Sequence, residues 1–205
     1  IFKIIDTEEG YSSMKEFYFK LIGKIFQTGK KWDLLSSSKS EVRDFAKKYL
    51  NEEPLKHIDG GLSDEYIVVS SGETIGERLR SEQWVDGTIH SIYNTLKKYS
   101  TKKDIVVYRG VSKPVFDKMI ESAKGDATID FKEKAFLHTS VVKGCEISDS
   151  YRKLRIKVPK GTNAFYAGNI NTEESIYYEV VVQKGARLKV ISIDDYINCE
   201  LVGTD

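Results

Sequence analysis

The chain is poor in cysteine, histidine and proline and has no excess of charge. Its two cysteines, Cys145 and Cys199, make no metal-ligand spacing, and the three histidines, His57, His90 and His138, are scattered. No zinc motif results, and no metal is expected. The two cysteines allow one disulfide or two inert thiols; the second is favoured, and the redox compartment stays open. Lys and Arg number 32 against 31 Asp and Glu, a net charge of +1. A general nucleic-acid binder carries a basic excess, so nucleic acid is not an expected partner. No apolar run approaches the roughly 18 residues that a membrane helix needs; the longest, such as Ile105-Val106-Val107-Tyr108, are of strand length. The chain begins at Ile1 without a signal-like segment. This reads as a processed chain from which any export signal has gone.

What is present is a soluble globular balance. Of 205 residues, 40% are apolar and 31% charged, and 11% are aromatic, chiefly 12 Tyr and 9 Phe. A chain of this length buries a core without needing disulfides or a structural metal, and it is read as one domain, 1–205.

The two halves differ in texture. Residues 1–103 read as helical. Phe17, Leu21, Ile22 and Ile25 share one helical face, as do Val42, Phe45, Ala46 and Tyr49 after Ser40-Glu41. Ser63-Asp64 and Ser70-Ser71-Gly72 read as breaks or caps. Trp84, Ile89, Ile92, Tyr93 and Leu96 mark a further helix ending in Lys97-Lys98, where positive charge suits a helix C-terminus. Residues 104–205 read as mainly β. Strands are expected at Ile105–Tyr108, Ala135–Val142, Leu154–Val158, Asn163–Ala167, Tyr177–Val182 and Arg187–Ile193, with a helix at Val115–Ala123. Glycines punctuate these runs as turns. Helices followed by strands indicate an α+β class.

Three features of the β half carry chemistry. Val106-Val107-Tyr108-Arg109-Gly110 ends a buried strand on an arginine, whose rigid fork suits a pair of phosphates. Phe136-Leu137-His138-Thr139-Ser140 places hydroxyls on a second strand. Tyr177-Tyr178-Glu179-Val180-Val181-Val182 opens a third strand with a carboxylate at its wet end. Each alone is ordinary β sequence; the three in this order and spacing are not.

In these residues the chain resembles the Arg–Ser–Glu class of bacterial mono-ADP-ribosyltransferases. It is similar to the clostridial Rho-modifying exoenzymes and to the enzymatic components of binary and insecticidal toxins. Ile105–Val111 matches the arginine strand, Lys134–Ser140 the Phe-x-Ser-Thr-Ser strand, Leu154–Thr162 the strand and turn that follow, and Tyr177–Val182 the Gln/Glu-x-Glu strand; residues 1–80 match only as a helical lobe. The resemblance implies a helical N-terminal lobe packed on two antiparallel sheets, with an NAD cleft between them. It implies cleavage of the nicotinamide–ribose bond of NAD through an oxocarbenium-like transition state. Glu179 would stabilise the growing charge. Arg109, with Gly110, would grip the NAD phosphates, and Thr139 and Ser140 would orient the site. Val141–Arg152 would fold over the nucleotide, with Tyr151 stacking and Arg152 reaching phosphate. Asn169–Tyr177 would meet a protein substrate. The implied setting is a secreted monomer that acts in the host cytosol on a host protein such as a small GTPase of the Rho type; entry then depends on another chain such as a translocation or carrier component, on a removed segment, or on uptake by the host cell.

Two positions depart from the pattern. His138 stands where relatives carry the first Ser of Ser-Thr-Ser; a ring nitrogen can donate the same bond to the catalytic glutamate, but the side chain is larger and titratable. Tyr177 stands where relatives carry the Gln or Glu that selects the acceptor, and a phenol is no carboxylate base at neutral pH. Two readings follow: an active transferase, in which Tyr177 orients an acceptor other than arginine, or a catalytically inactive copy of the fold that docks in a toxin complex.

Overall fold

The computed structural model describes residues 28–52, 72–82, 87–125, 127–146, 151–168 and 177–205, together with residues 16 and 18. Among the described residues, four helices precede the first strand: α1 (Thr28–Asp33), α2 (Val42–Tyr49), α3 (Gly72–Arg80) and α4 (Gly87–Leu96). The β half holds β1 (Ile105–Val111), α5 (Lys113–Ala123), β2 (Phe131–Glu133), β3 (Leu137–Ser140), β4 (Arg152–Val158), β5 (Ala164–Gly168), β6 (Glu179–Val182), β7 (Ala186–Ile193) and β8 (Ile197–Gly203). The expected helical face of Phe17–Ile25, the breaks at Ser63-Asp64 and Ser70-Ser71, Trp84 and most of the 169–177 loop lie outside the described residues.

Local chemistry explains the helices. In α2 Val42 and Ala46 are buried, Phe45 and Tyr49 pack edge to face at 5.0 Å, and Asp44 in the first turn and Lys47-Lys48 in the last suit the helix dipole. In α5 Ser112 is extended at the N-cap, Pro114 occupies the first turn, and Phe116, Met119, Ile120 and Ala123 form the buried face.

The strands run in the order β2-β7-β8-β4-β1-β3-β6-β5. β1 meets β3 at a single residue pair, Tyr108↔Ser140, whereas β1 and β4 pair over seven residues. The expected two sheets therefore take the form of a five-stranded and a three-stranded ladder joined at one point. One pair departs from the antiparallel pattern: β8 runs parallel to β4. The β7–β8 hairpin fixes the direction in which β8 reaches the open edge of β4. Two strands were not among the sequence expectations, the three-residue β2 and the whole of β8.

The main core joins α2 and α5 to both ladders, through residues such as Val107, Ile156, Leu188 and Val180. A second cluster packs Ile75 of α3 and Ile89, Ile92 and Leu96 of α4 onto Phe136, Phe165 and Val181 of the three-stranded ladder. Polar clips fix the helices there. Asn51 Nδ2 donates to Tyr166 O at 3.0 Å and its Oδ1 accepts from Tyr166 N at 2.6 Å, beside the register shift in β5. Gln183 Nε2 donates to Tyr93 O at 3.0 Å. Cys145 and Cys199 are both buried free thiols, and burial raises both above the ordinary thiol range.

Candidate active site

The register of β1, β3 and β6 brings the chemistry together. Ser140 lies opposite Glu179 and His138 opposite Val181. Residues two apart on a strand share a face, so His138 is the diagonal neighbour of Glu179, within reach of long side chains. The imidazole Nδ1 stands 2.6 Å from Glu179 Oε1, with the two side chains 16% and 13% exposed. A carboxylate only accepts, so Nδ1 carries the proton and donates it.

Arg109 extends from β1 toward the same point. Its Nη1 donates to His138 O at 2.8 Å, and its Nη2 lies 3.7 Å from Glu133 Oε2. Glu133, at the end of β2, also receives the Arg80 fork, with Nε to Oε1 at 3.0 Å and Nη2 to Oε2 at 3.2 Å, and accepts from Ala135 N at 3.1 Å. Glu133 is 6% exposed, whereas the two guanidiniums are 45% (Arg80) and 21% (Arg109) exposed. Burial pulls the Arg109 guanidinium below its ordinary value; Glu133 and Glu179 oppose this and Arg80 adds to it. Two guanidiniums held on one carboxylate carry a net positive charge, and their planar forks suit a pair of phosphate groups. Arg80 and Glu133 were not singled out in the sequence. They lie 53 residues apart in the chain, so no spacing signals their meeting; only the packing of α3 beside β2 does.

Thr139 and Ser140 are fully buried. Thr139 Oγ1 donates to Val180 O at 2.7 Å. Ser140 Oγ accepts from Val142 N at 3.1 Å and donates to Val142 O at 3.0 Å. Both hydroxyls therefore brace the backbone beside Glu179. Gly110 is buried within β1, paired with Lys153. Tyr177 is half-buried at the entrance to β6. Tyr178 has φ +46°, an uncommon conformation for a bulky residue, and its carbonyl accepts from Val141 N at 3.2 Å. Such strain is held where surrounding structure over-determines it; here it turns the chain immediately before Glu179.

Tyr151 and Arg152 stand elsewhere. Tyr151 meets Phe116 of α5 edge to face at 5.4 Å, and Arg152 lies over the rings of Phe116 and Tyr151 and donates to Glu16 Oε1 at 3.4 Å. Among the described residues, neither contacts Arg109, His138 or Glu179. No group of three or more His, Cys, Asp and Glu side chains among the described residues could hold a metal ion. None of the described helices is long and apolar enough to cross a membrane.

Known structures share this fold. Plx2a, an ADP-ribosyltransferase toxin from Paenibacillus larvae, superposes with a TM-score of 0.54 at 20% identity, over 68% of this chain and 86% of that one. The Clostridium limosum C3 exoenzyme gives a TM-score of 0.58 at 15% identity, over 81% of this chain and 96% of that one. BECa, an ADP-ribosylating toxin of a binary enterotoxin of C. perfringens solved with NADH, gives 0.54 at 22% identity, over 68% of this chain but 43% of that one. At these identities the likeness establishes the fold. No curated protein matches the chain by sequence. The family assignment comes from the sequence profile of the ADP-ribosyltransferase exoenzymes, which matches residues 65–201. That span runs from before α3 into β8 and contains Arg80, Arg109, Glu133, His138 and Glu179, and the chain belongs to the ADP-ribosyltransferase exoenzyme family.

Proposed function

We propose that the chain transfers ADP-ribose from NAD to a protein acceptor and releases nicotinamide. One observation carries this reading: β1, β3 and β6 bring Arg109, His138 and Glu179 into one hydrogen-bonded cluster, Arg109 Nη1 to His138 O at 2.8 Å and His138 Nδ1 to Glu179 Oε1 at 2.6 Å. In the mechanism that follows, the forks of Arg80 and Arg109 hold the pyrophosphate. Their shared Glu133 fixes both planes in advance, so little side-chain freedom is lost on binding. Glu179 keeps one carboxylate oxygen for the ribose. As the bond from C1′ to the nicotinamide nitrogen stretches, its electrons leave with the ring and positive charge grows on the ribose. A preorganised carboxylate at that point stabilises the transition state more than the ground state. The acceptor then bonds to C1′.

Membership of the exoenzyme family and the resemblance to Rho-modifying relatives make a host small GTPase of the Rho type the first acceptor to test, with the chain secreted and acting in the host cytosol. A carrier component fits the binary-toxin relative. The decisive experiment measures nicotinamide release from NAD, and ADP-ribose labelling of such a GTPase, by the wild type and by Glu179→Gln. The variant keeps shape and loses charge. Release should fall by about 100-fold or more, as for loss of one preorganised electrostatic group, with NAD affinity little changed. A wild type that binds NAD without releasing nicotinamide identifies the docking copy instead.

A further inference from the structure

His138 has a second ring nitrogen. Nδ1 is committed to Glu179, which leaves Nε2 unprotonated in the neutral ring, with a lone pair to offer. Among the described residues Nε2 has no protein partner. Among the described residues no buried side-chain nitrogen or oxygen lacks a partner, so Nε2 is open to solvent. A carboxylate that holds the Nδ1 proton of a histidine fixes its tautomer, aims its far nitrogen and stabilises the imidazolium that forms when that nitrogen takes a proton. This is the logic of a carboxylate-oriented general base. A hydroxyl at position 138 could bond Glu179 equally well but would provide no base. The phenols of Tyr177 and Tyr178 at the mouth of β6 offer no such nitrogen base.

We propose that His138 is the general base that activates the acceptor, with Glu179 serving both His138 and the ribose. The inference rests on the transferase reading above and deepens it. Oε1 of Glu179 orients the imidazole and the other oxygen faces the ribose. The C1′–nitrogen bond of NAD breaks, and its electron pair leaves with neutral nicotinamide. The acceptor oxygen or nitrogen bonds to C1′, its proton passes to His138 Nε2, and the imidazolium then releases it to water. An imidazole is matched to acceptors that shed a proton as they attack: water, an alcohol or a carboxamide. It is far too weak a base for a guanidinium, so the acceptor class is a neutral side chain, not arginine.

Among the described residues, the charged and titratable groups around His138 are Glu179 from β6, Arg109 from β1, and Glu133 and Arg80 behind it from β2 and α3, with Tyr177 leading into β6. α4 packs on this side with Ile89, Ile92 and Leu96. A general base acts in its unprotonated form, so a rate that depends on His138 rises with pH.

The test is the pH–rate profile of nicotinamide release by wild type, His138→Ser and His138→Asn, with the NAD Kd measured for each. Both replacements can still donate to Glu179 and neither is a base. The expected result is a fall of about 100-fold or more in kcat, the general-base range, with loss of the acid limb and an NAD Kd within about threefold. Added imidazole should restore part of the rate to His138→Gly. Retention of the wild-type rate and acid limb in His138→Ser overturns the base while leaving the transferase reading intact. A wild type that releases no nicotinamide overturns both.

Discussion

Arg155 lies on the other face of β1 from Arg109. Tyr108 pairs with Arg155 and Arg109 with Leu154, and adjacent strand positions face opposite ways. Its side chain is 3% exposed and its fork is fully engaged: Nε with Asp33 Oδ1 at 2.8 Å, Nη1 with Asp194 at 3.0 and 3.1 Å and with Asn198 Oδ1 at 2.7 Å. The ring of Tyr196 lies beneath it at 4.7 Å. Asp33 also receives Lys143 Nζ at 2.6 Å and Tyr108 OH at 2.8 Å. Lys143 belongs to the segment that follows Ser140, so this cluster holds the exit of the site strand from behind.

Arg155→Met removes the buried cation and leaves two carboxylates facing each other. Breaking a buried pair by deleting one partner costs about 3–5 kcal/mol. Asp33 and Asp194 are 26% and 24% exposed, so water recovers part of the loss and the lower end, about 3 kcal/mol, applies. For a domain of this size each kcal/mol moves Tm by about 2–4 °C, giving a fall of about 6–12 °C near pH 7. The pH dependence gives a second check. Burial by itself would raise the Asp33 carboxyl, but hydrogen bonds from Lys143 and Tyr108 and the charges of Arg155 and Lys143 outweigh it, and the group is held below its ordinary value. A carboxyl lowered on folding stabilises above its unfolded pKa of about 3.9 and loses that contribution as pH falls through the folded value. The variant lacks part of this contribution, so the gap between the two proteins should hold from pH 7 to about pH 4 and narrow only as pH falls below the unfolded value of about 3.9 toward the folded one. Urea unfolding at about pH 7, pH 4 and pH 3 measures it. A fall in Tm below about 2 °C, or a gap that widens in acid, refutes the argument.

Arg109→Lys exchanges a fork for a point charge; loss of one charge-assisted hydrogen bond, about 1.5–3 kcal/mol, should raise the NAD Kd about 10- to 100-fold with little change in kcat, as titration calorimetry and steady-state kinetics would show. Tyr177→Ala should lower transfer to protein about tenfold, as loss of one anchoring aromatic does, and spare NAD hydrolysis by water; a parallel fall in both rates assigns Tyr177 to packing. Gly29→Ala should destabilise although alanine is the better helix former, because a Cβ there meets the Arg155 guanidinium and the Asp194 carboxylate; a loss of about 1–3 kcal/mol in urea unfolding is expected for such overpacking.

Much of the fold was legible because local pattern and tertiary burial agree. α5 fills the face that its apolar spacing marks. In β4, Leu154, Ile156 and Val158 are buried as their spacing suggests, but the expected alternation fails at Arg155, which is buried between them by its ion pairs. β8 was not legible because its pattern is broken by Asn198, a buried amide whose presence is explained by its bonds to Arg155 of β4 and to Ser192 and Asp194. β2 is three residues long and borrows its regularity from β7. In the site, Arg109 and Glu179 were readable as residue types at the ends of β runs. Arg80 and Glu133 were not, since an exposed helical arginine and an acid at a strand end are ordinary until folding makes them partners. Thr139 and Ser140 were readable as site-strand residues, but only the register shows that their hydroxyls turn to backbone.

The joint between the ladders explains why the site forms where it does. Beyond the single pair Tyr108↔Ser140, β3 has no β1 backbone to bond. A carbonyl in that position must find another donor, and His138 O finds the guanidinium of Arg109. The arginine thus supplies the hydrogen bond that the ladder omits, and in doing so it fixes its fork beside the histidine that carries the same carbonyl. On the far side, the left-handed backbone of Tyr178 ends the pairing of β6 just before Glu179. A continuous sheet would have satisfied these groups among themselves and left no side chains converging. The gap in pairing makes the convergence necessary, so a change that extends the β1–β3 ladder would dismantle the site even with every site residue retained.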